Sequence, residues 1–562
     1  MLSSGIRCRA ARQLPRALGR THSTLTHEDW DIVIVGGGPA GLALASALGS
    51  SQLVRESLRV ALVEASDLSK IREWAPAAGA FSNRASSLTH KSQTFLRDIR
   101  AWEHVDEART CAIENMQVWD GVSDARIEFS SSLLGLQATE QMPMARMTEN
   151  LNLQRALLRH LADIPQVHII DSSRVHSIGH AEGSNWPLVR LDSGRVLRSR
   201  LLVGADGFNS PVRTFANIGS FGWAYDTHAI VATMDHQPRG AFMGPNTTAY
   251  QRFLPTGPIA FLPLSPVSSS LVWSTKPSLA AALKAAGPDV LATMINTAYR
   301  LPDVSMRYLH ELILDAHASG SPVTLPQIQA DVAWRERSHG IDETSAYTST
   351  SIDLTKLGIP PADAELLPPL VTSLQPGTVA SFPLRFNHID SYLGEGEGSR
   401  VVLVGDAAHT VHPLAGQGLN LGLADVECLA RCIDDALTHG GDVGSRTALL
   451  PYGRERYFAN HKTMSAMDKL HKLYSTSFEP VVWARSVGIE VLNELDTVKT
   501  ALMMEASGRD ALGTVSPWES AARAAENFSV VTETAQMVGT RVSGMFGVGV
   551  QRILRATGSR IN

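Results

Sequence analysis

Short apolar runs, each stopped by glycine, an acid or both, set the frame of this chain. Asp31–Val35 is a β-rich run ending in three glycines, and Leu42–Leu48 behind it reads as an apolar helix. Arg59–Val63 is a second strand, ending at Glu64. Leu201–Val203 runs into Gly204-Ala205-Asp206-Gly207, and Val401–Val404 stops at Gly405-Asp406. Between these last two runs the pattern changes. Ala229–Thr233 alternates weakly, Ile259–Leu262 is a short apolar run, and Ser270–Thr275 is a strand, which predicts a mostly antiparallel sheet. Ser319–Asp363 is polar and reads as an insertion. Leu419–Leu437 is a long helix, residues 451–508 read as helices closing the core, and Gly394–Gly398 is a solvated turn. No internal repeat or heptad array is present.

Composition narrows the classes. The chain has 562 residues, 44% hydrophobic and 19% charged, which is globular and long enough for two or three domains. A net charge of -5 with no long basic stripe argues against a dedicated nucleic-acid binder. No apolar run is long enough to span a bilayer. Four cysteines, Cys8, Cys111, Cys428 and Cys432, suit a reducing compartment, with Cys428 and Cys432 expected as core thiols on one helix. The start is different. It carries Arg7, Arg9, Arg12, Arg16 and Arg20 and no acid before Glu28, the composition of a mitochondrial transit peptide ending near residue 26.

The candidate chemistry is a phosphate cradle. Gly36, Gly38 and Gly41 form G-x-G-x-x-G between a strand and a helix. The first permits the turn, the second admits a pyrophosphate, and the third lets helix and strand pack closely. Glu64 follows at the end of the next strand, near the spacing of an acid that binds a ribose. FAD and NAD both fit this half. Gly405-Asp406 breaks the tie, because a flavin needs a second anchor for its ribityl chain. Gly416-Gln417-Gly418 then brings bare backbone N–H groups and a helix N-terminus against the ring edge. Asp206 is a third cofactor-side acid. His409 and His412 lie in the same loop and are not read as metal ligands; no metal is expected.

Three motifs in order, Gly36 to Gly41, Asp206-Gly207 and Gly405-Asp406, resemble the p-hydroxybenzoate hydroxylase-like class A flavin monooxygenases. His412 to Asp425 is similar to the signature of the ubiquinone-biosynthesis hydroxylases among them. Ile113–Gly121, Gln251–Leu264, Leu271–Thr275 and Lys472–Pro480 resemble the mitochondrial branch. The resemblance covers about residues 30 to 508. It implies that Gly36, Gly38, Gly41 and Glu64 hold ADP, and that Arg84 and Gln154 flank the FAD chain. It implies further that Asp406 holds the ribityl group, and that Pro413, Gly416, Gln417, Gly418, Leu419 and Asn420 cradle the isoalloxazine. The activity implied is hydroxylation of ring carbon 5 of a polyprenylated 4-hydroxybenzoate with O2, through a flavin C4a-hydroperoxide. No catalytic side chain is assigned; Arg252 is the expected substrate contact. The implied partners are a ferredoxin and its reductase, other ubiquinone-biosynthesis proteins and a membrane surface, at the matrix face of the inner mitochondrial membrane.

The expected fold is α/β, a Rossmann-like FAD-binding domain with a mostly antiparallel β-sheet substrate domain and C-terminal helices. The FAD-binding domain takes residues 29–114, 141–214 and 380–440. The substrate domain takes 115–140 and 215–379, with the polar insertion at about 319–363. Helices fill 441–508, and 509–562 is a tail whose apolar residues and arginines suit an anionic bilayer surface. Two other functions fit the motifs: an NAD(P)H-dependent hydroxylase of a small soluble phenol, and a non-catalytic flavin-holding scaffold.

Overall fold

The computed structural model describes residues 27–134, 143–180, 183–239, 244–342, 345–349, 364–413 and 416–507. The arginine-rich start, part of the polar insertion, Leu414-Ala415 and the tail lie outside them.

The apolar runs assemble into one sheet of seven strands. Val167–Ile170, Val60–Val63, Glu28–Val35, Val196–Gly204 and Val401–Leu403 are parallel. Their inner residues are buried on both faces, which is why they read as continuous apolar runs. Val196–Gly204 divides its outer edge. Its first half pairs with Pro187–Leu191, and its second half, from Leu202, pairs with Val401–Leu403. The helix Pro39–Ser50 behind the glycine turn is buried from Gly41 to Gly49. Cys428 and Cys432 are buried on the helix Gln417–Thr438.

A second sheet of nine strands is antiparallel except where Thr248–Leu254 runs beside Asn115–Asp120. Its backbone is Ser220–His236, a 17-residue strand that pairs with both Ser268–Thr275 and Ala380–Ile389. Helices Pro277–Ala285, Pro288–Arg300, Asp303–Ala318 and Leu325–Ser338 contribute to a second core with this sheet, around Trp119, Phe261, Trp273 and Tyr299. The last of these helices lies inside the segment read as a polar insertion. It is seated by Ile328 and Val332. A three-stranded sheet, Ala85–Thr89, Ala145–Glu149 and Thr110–Ile113, completes the set.

Among the described residues, one strand pairing ties the end of the first sheet's last turn to the second sheet. His409-Thr410, just after the Gly405-Asp406 turn, pairs with Asn387 and His388 of the second sheet. Helices Gln417–Thr438, Arg446–Tyr474, Glu479–Glu494 and Asp496–Ser507 then close the structure.

Candidate functional site

Three turns from distant parts of the chain meet at the C-terminal ends of the parallel strands. At the first, Gly36 has φ +113°, and a Cβ there would overlap the Ala205 carbonyl. A Cβ on Gly41 would land on the carbonyl oxygen of Gly36. Gly38 differs: its φ is -71°, and a Cβ on it would meet no heavy atom within 4 Å. Gly36 and Gly41 are therefore required by the fold, whereas Gly38 leaves open room beside the N-terminus of a helix that has no side-chain cap. Unpaired N–H groups at such an end favour an anion.

Glu64 accepts from the Gly37 N–H (2.5 Å) and the Ser66 N–H (2.7 Å). A carboxylate has about four acceptor sites, so sites remain for hydroxyls. Gln154 donates to the Gly37 carbonyl at 3.5 Å. Arg84 is exposed, and its carbonyl accepts from Asn150 N–H at the start of the helix that carries Gln154.

At the second turn, Asp206 accepts from Val212 N–H (3.1 Å) through Oδ2, while Oδ1 is buried without a partner among the described residues. Burial pushes its carboxyl above the usual range. Arg213 donates to the Ala407 carbonyl (2.8 Å), tying this turn to the third. There, the space beside Gly405 is taken by Ala40 of the first glycine helix, 3.1 Å from where a Cβ would sit. Asp406 is solvent-exposed at the mouth of this turn; the protein crowded around it raises its carboxyl, and the nearby His409 offsets that only in part.

Gly416, at φ +60°, is the N-cap of the helix Gln417–Thr438, which has no side-chain cap either. Its N–H donates to the Pro413 carbonyl (3.1 Å). A Cβ on Gly418 would meet nothing closer than Val411, at 3.7 Å. Leu419 packs against the first core and Gln417 is half-buried. Asn420 is fully committed. It accepts from Thr89 N–H and Ser92 Oγ, and donates to the Ser87 and Gly416 carbonyls. It holds the loop in shape rather than offering a free group.

A buried hub behind these turns was not read from the sequence. Asp425, mid-helix and fully buried, accepts from Gly405 N–H (3.1 Å), His409 Nε2 (2.7 Å), Arg456 Nε (2.8 Å) and Asn460 Nδ2 (2.8 Å). Burial pushes its carboxyl up, but His409 and Arg456 outweigh that and hold it at about 2. The available signal was an acid on an apolar helix face, between Leu421 and Leu429.

The expectation for Arg252 is corrected. It sits mid-strand, 2% exposed, and donates to the carbonyls of Ala298, Leu301 and Gly121 and to Asp124. It caps the C-terminus of Pro288–Arg300, where a cation suits the unpaired carbonyls, and so has no free face for a substrate. His412 stacks edge-on with Tyr225 (5.2 Å) and near His471 (4.7 Å). Tyr225 and His471 line a cavity of about 530 Å³ with Trp223 and Lys472. A larger cavity, about 740 Å³, opens between Trp186, Arg400 and Arg446 at the opposite end of Val401–Leu403, away from the three turns.

A family model described as an FAD binding domain matches residues 29–304 and 373–466. The chain is 36% identical to the mitochondrial ubiquinone biosynthesis monooxygenase COQ6 of Saccharomyces cerevisiae, covering 85% of this chain and 94% of that protein. It is 34% identical to the Schizosaccharomyces pombe protein of the same name, covering 85% and 92%. With the Homo sapiens protein the identity is 33%, covering 89% and 98%. Among solved structures, p-nitrophenol 4-monooxygenase PnpA from Pseudomonas putida aligns with TM-score 0.57 at 15% identity, covering 86% of this chain and all of that one. PqsL from Pseudomonas aeruginosa, a probable FAD-dependent monooxygenase, aligns at 0.53 and 21%, covering 82% and 99%. At these identities the two structures speak for the fold alone.

Proposed function

The chain belongs to the ubiquinone-biosynthesis FAD monooxygenases of the p-hydroxybenzoate hydroxylase-like class, and from that premise we propose that it hydroxylates carbon 5 of a polyprenylated 4-hydroxybenzoate. It is an FAD-dependent aromatic-ring monooxygenase. The small-phenol and scaffold readings gain no support from its relatives.

The residues present fit FAD. The observation that carries the assignment is the division of the glycines: Gly36 and Gly41 are locked by their neighbours, and Gly38 opens on space at an uncapped helix end. In this reading Gly38 and the N–H groups beside it take the pyrophosphate, Glu64 the ribose, and Arg84 and Gln154 flank the chain. The unpaired Oδ1 of Asp206 and the open carboxylate of Asp406 accept hydroxyls. The amides from Gly416 to Leu419 face the ring edge, with Pro413 and Asn420 keeping that loop in shape. Bound FAD supplies the activation of O2, one oxygen atom going to the ring and the other leaving as water. The chain's own task is to hold the ring carbon in reach and to exclude water.

Electrons come from a ferredoxin and its reductase, in company with other proteins of the pathway, and the protein works at the matrix face of the inner membrane. The relatives' names, which say mitochondrial, support the organelle. No described helix is long and apolar enough to cross a membrane. The test is lipid analysis of a strain lacking the protein. The expected result is accumulation of a prenylated 4-hydroxybenzoate missing the carbon-5 hydroxyl; an unchanged lipid profile would refute the assignment.

A further inference from the structure

Resting on the reading that the substrate is a prenylated phenol, we propose that the folded core itself docks on an anionic lipid bilayer. The surface is the outward face of the helix Arg446–Tyr474 together with the exposed start of the strand Ser220–His236. The inward stripe of that helix, including Tyr452, Arg456, Asn460, Met464 and His471, is buried. The opposite side presents Phe458, Lys462, Lys469, Lys472 and Leu473 at helical spacing. Phe458 is 74% exposed, and Phe478, just past the helix end, is 64% exposed. Phenylalanine is among the residues most often buried, and two bare rings here leave a large apolar area in water.

The strand continues this surface. The Phe221 ring lies 6.4 Å from His461, and Lys472 Nζ sits 4.9 Å over Trp223. Trp223 is itself exposed while stacked flat on Phe386 at 4.4 Å. The exposed charge on the outward face is mostly basic: Glu455, exposed one turn before Phe458, is paired with Arg431 (2.7 Å). Between Tyr457 and Tyr474 it has three lysines, and its one acid, Asp468, is buried, bonded to Tyr225 Oη (3.0 Å) and Lys472 (2.7 Å). Asp226 and Glu479 stand exposed at the margins of the patch.

That composition selects the occupant. The core of a protein–protein interface is depleted in lysine. Aromatic rings interleaved with lysines suit the boundary between headgroups and acyl chains, where rings sink and lysine stems reach up to phosphates. The patch also borders the cavity whose Tyr225 and His471 touch His412. A bilayer bound here lies on the side of His412.

The test uses the FAD-loaded full-length protein, sedimented with phosphatidylcholine vesicles with and without cardiolipin. Two double variants, Phe458→Ser with Phe478→Ser and Lys462→Glu with Lys469→Glu, change exposed side chains of this surface; flavin content and melting temperature report folding. A third form ends at residue 507. Wild type and the truncated form should bind cardiolipin vesicles. Each double variant should lose about tenfold or more in partitioning while keeping its flavin, and the lysine effect should fade in high salt. Wild-type binding by both double variants would overturn the proposal. So would loss of all binding on truncation, which would make the tail the anchor, or self-association of wild type in place of vesicle binding, which would make a second copy the occupant. The lipid profile of the deletion strain tests the substrate reading separately, so the two can fail independently.

Discussion

Substituting Gly38 isolates the cofactor from the fold. An alanine Cβ at this position meets no protein atom within 4 Å, and the backbone, at φ -71° and ψ 178°, is open to any residue. Losing glycine at an N-cap costs roughly 0.5–1 kcal/mol. Restricting the unfolded chain returns about 0.4–1 kcal/mol. The apo protein should therefore melt within about 2 °C of wild type, since 1 kcal/mol moves a large domain by roughly 2–4 °C. If the pyrophosphate lies against this helix end, the same methyl intrudes on it. Overpacking costs about 1–3 kcal/mol, or roughly 5- to 150-fold in FAD affinity, and Gly38→Val should lose more. Gly41→Ala is the contrast. Its Cβ falls on the Gly36 carbonyl, so helix and strand must part and the apo protein itself should melt lower. The assay is thermal melting of stripped protein beside titration of flavin fluorescence. Gly38→Ala binding FAD like wild type would refute the placement of the phosphates. Gly38→Ala melting as low as Gly41→Ala would refute the argument from space.

Asp406→Ala should weaken FAD binding roughly ten- to hundred-fold, the loss of one charge-assisted bond worth about 1.5–3 kcal/mol; because the residue is exposed, the stripped variant should melt close to wild type. Asp425→Asn leaves His409 and Arg456 with a weakened partner, and a cost of about 3–5 kcal/mol is expected in denaturant melts. Since the Asp425 carboxyl is held at about 2 when folded, below its unfolded value, wild type draws stability from it above about pH 4 and loses it as pH falls toward 2; the variant should lack that part of the acid slope. Arg252→Ala should destabilise by a similar few kcal/mol through the uncapped helix Pro288–Arg300, with flavin per folded chain unchanged; normal stability with a raised Michaelis constant would restore a substrate role.

The three turns were legible because each is local. A strand stopped by glycine needs only its own few residues to be seen, and the order of the motifs then implied their meeting. The hub was not, because the partners of Asp425 are 16 to 35 residues away in sequence. A lone helical acid has the same local signature whether solvated or buried. Arg252 was expected to meet a substrate, whereas Thr248–Leu254 is buried along its whole length and the arginine finds its acceptors on a helix some 46 residues on. Leu325–Ser338 buries only Ile328, Val332 and Glu336, too few apolar positions to outweigh its polar neighbours in sequence. The helices from Pro277 to Ala318 went unassigned although Pro277, Gly287-Pro288 and Pro302-Asp303 punctuate their starts, a local signal that was available.

The shared edge of Val196–Gly204 has a consequence for synthesis. Its second half is completed by Val401–Leu403, which leaves the ribosome about 200 residues later, roughly 10–40 s at 5–20 residues per second. For that interval the nascent chain carries an apolar strand with half its hydrogen-bonding edge open, the state most prone to pairing with another chain. Flavin cannot shorten the wait, because the Gly405-Asp406 turn and the Gly416 loop emerge later still. A message cut short before residue 400 should thus yield an aggregating fragment rather than a weakened enzyme, and newly made full-length chains should depend on chaperones until that last strand is laid in.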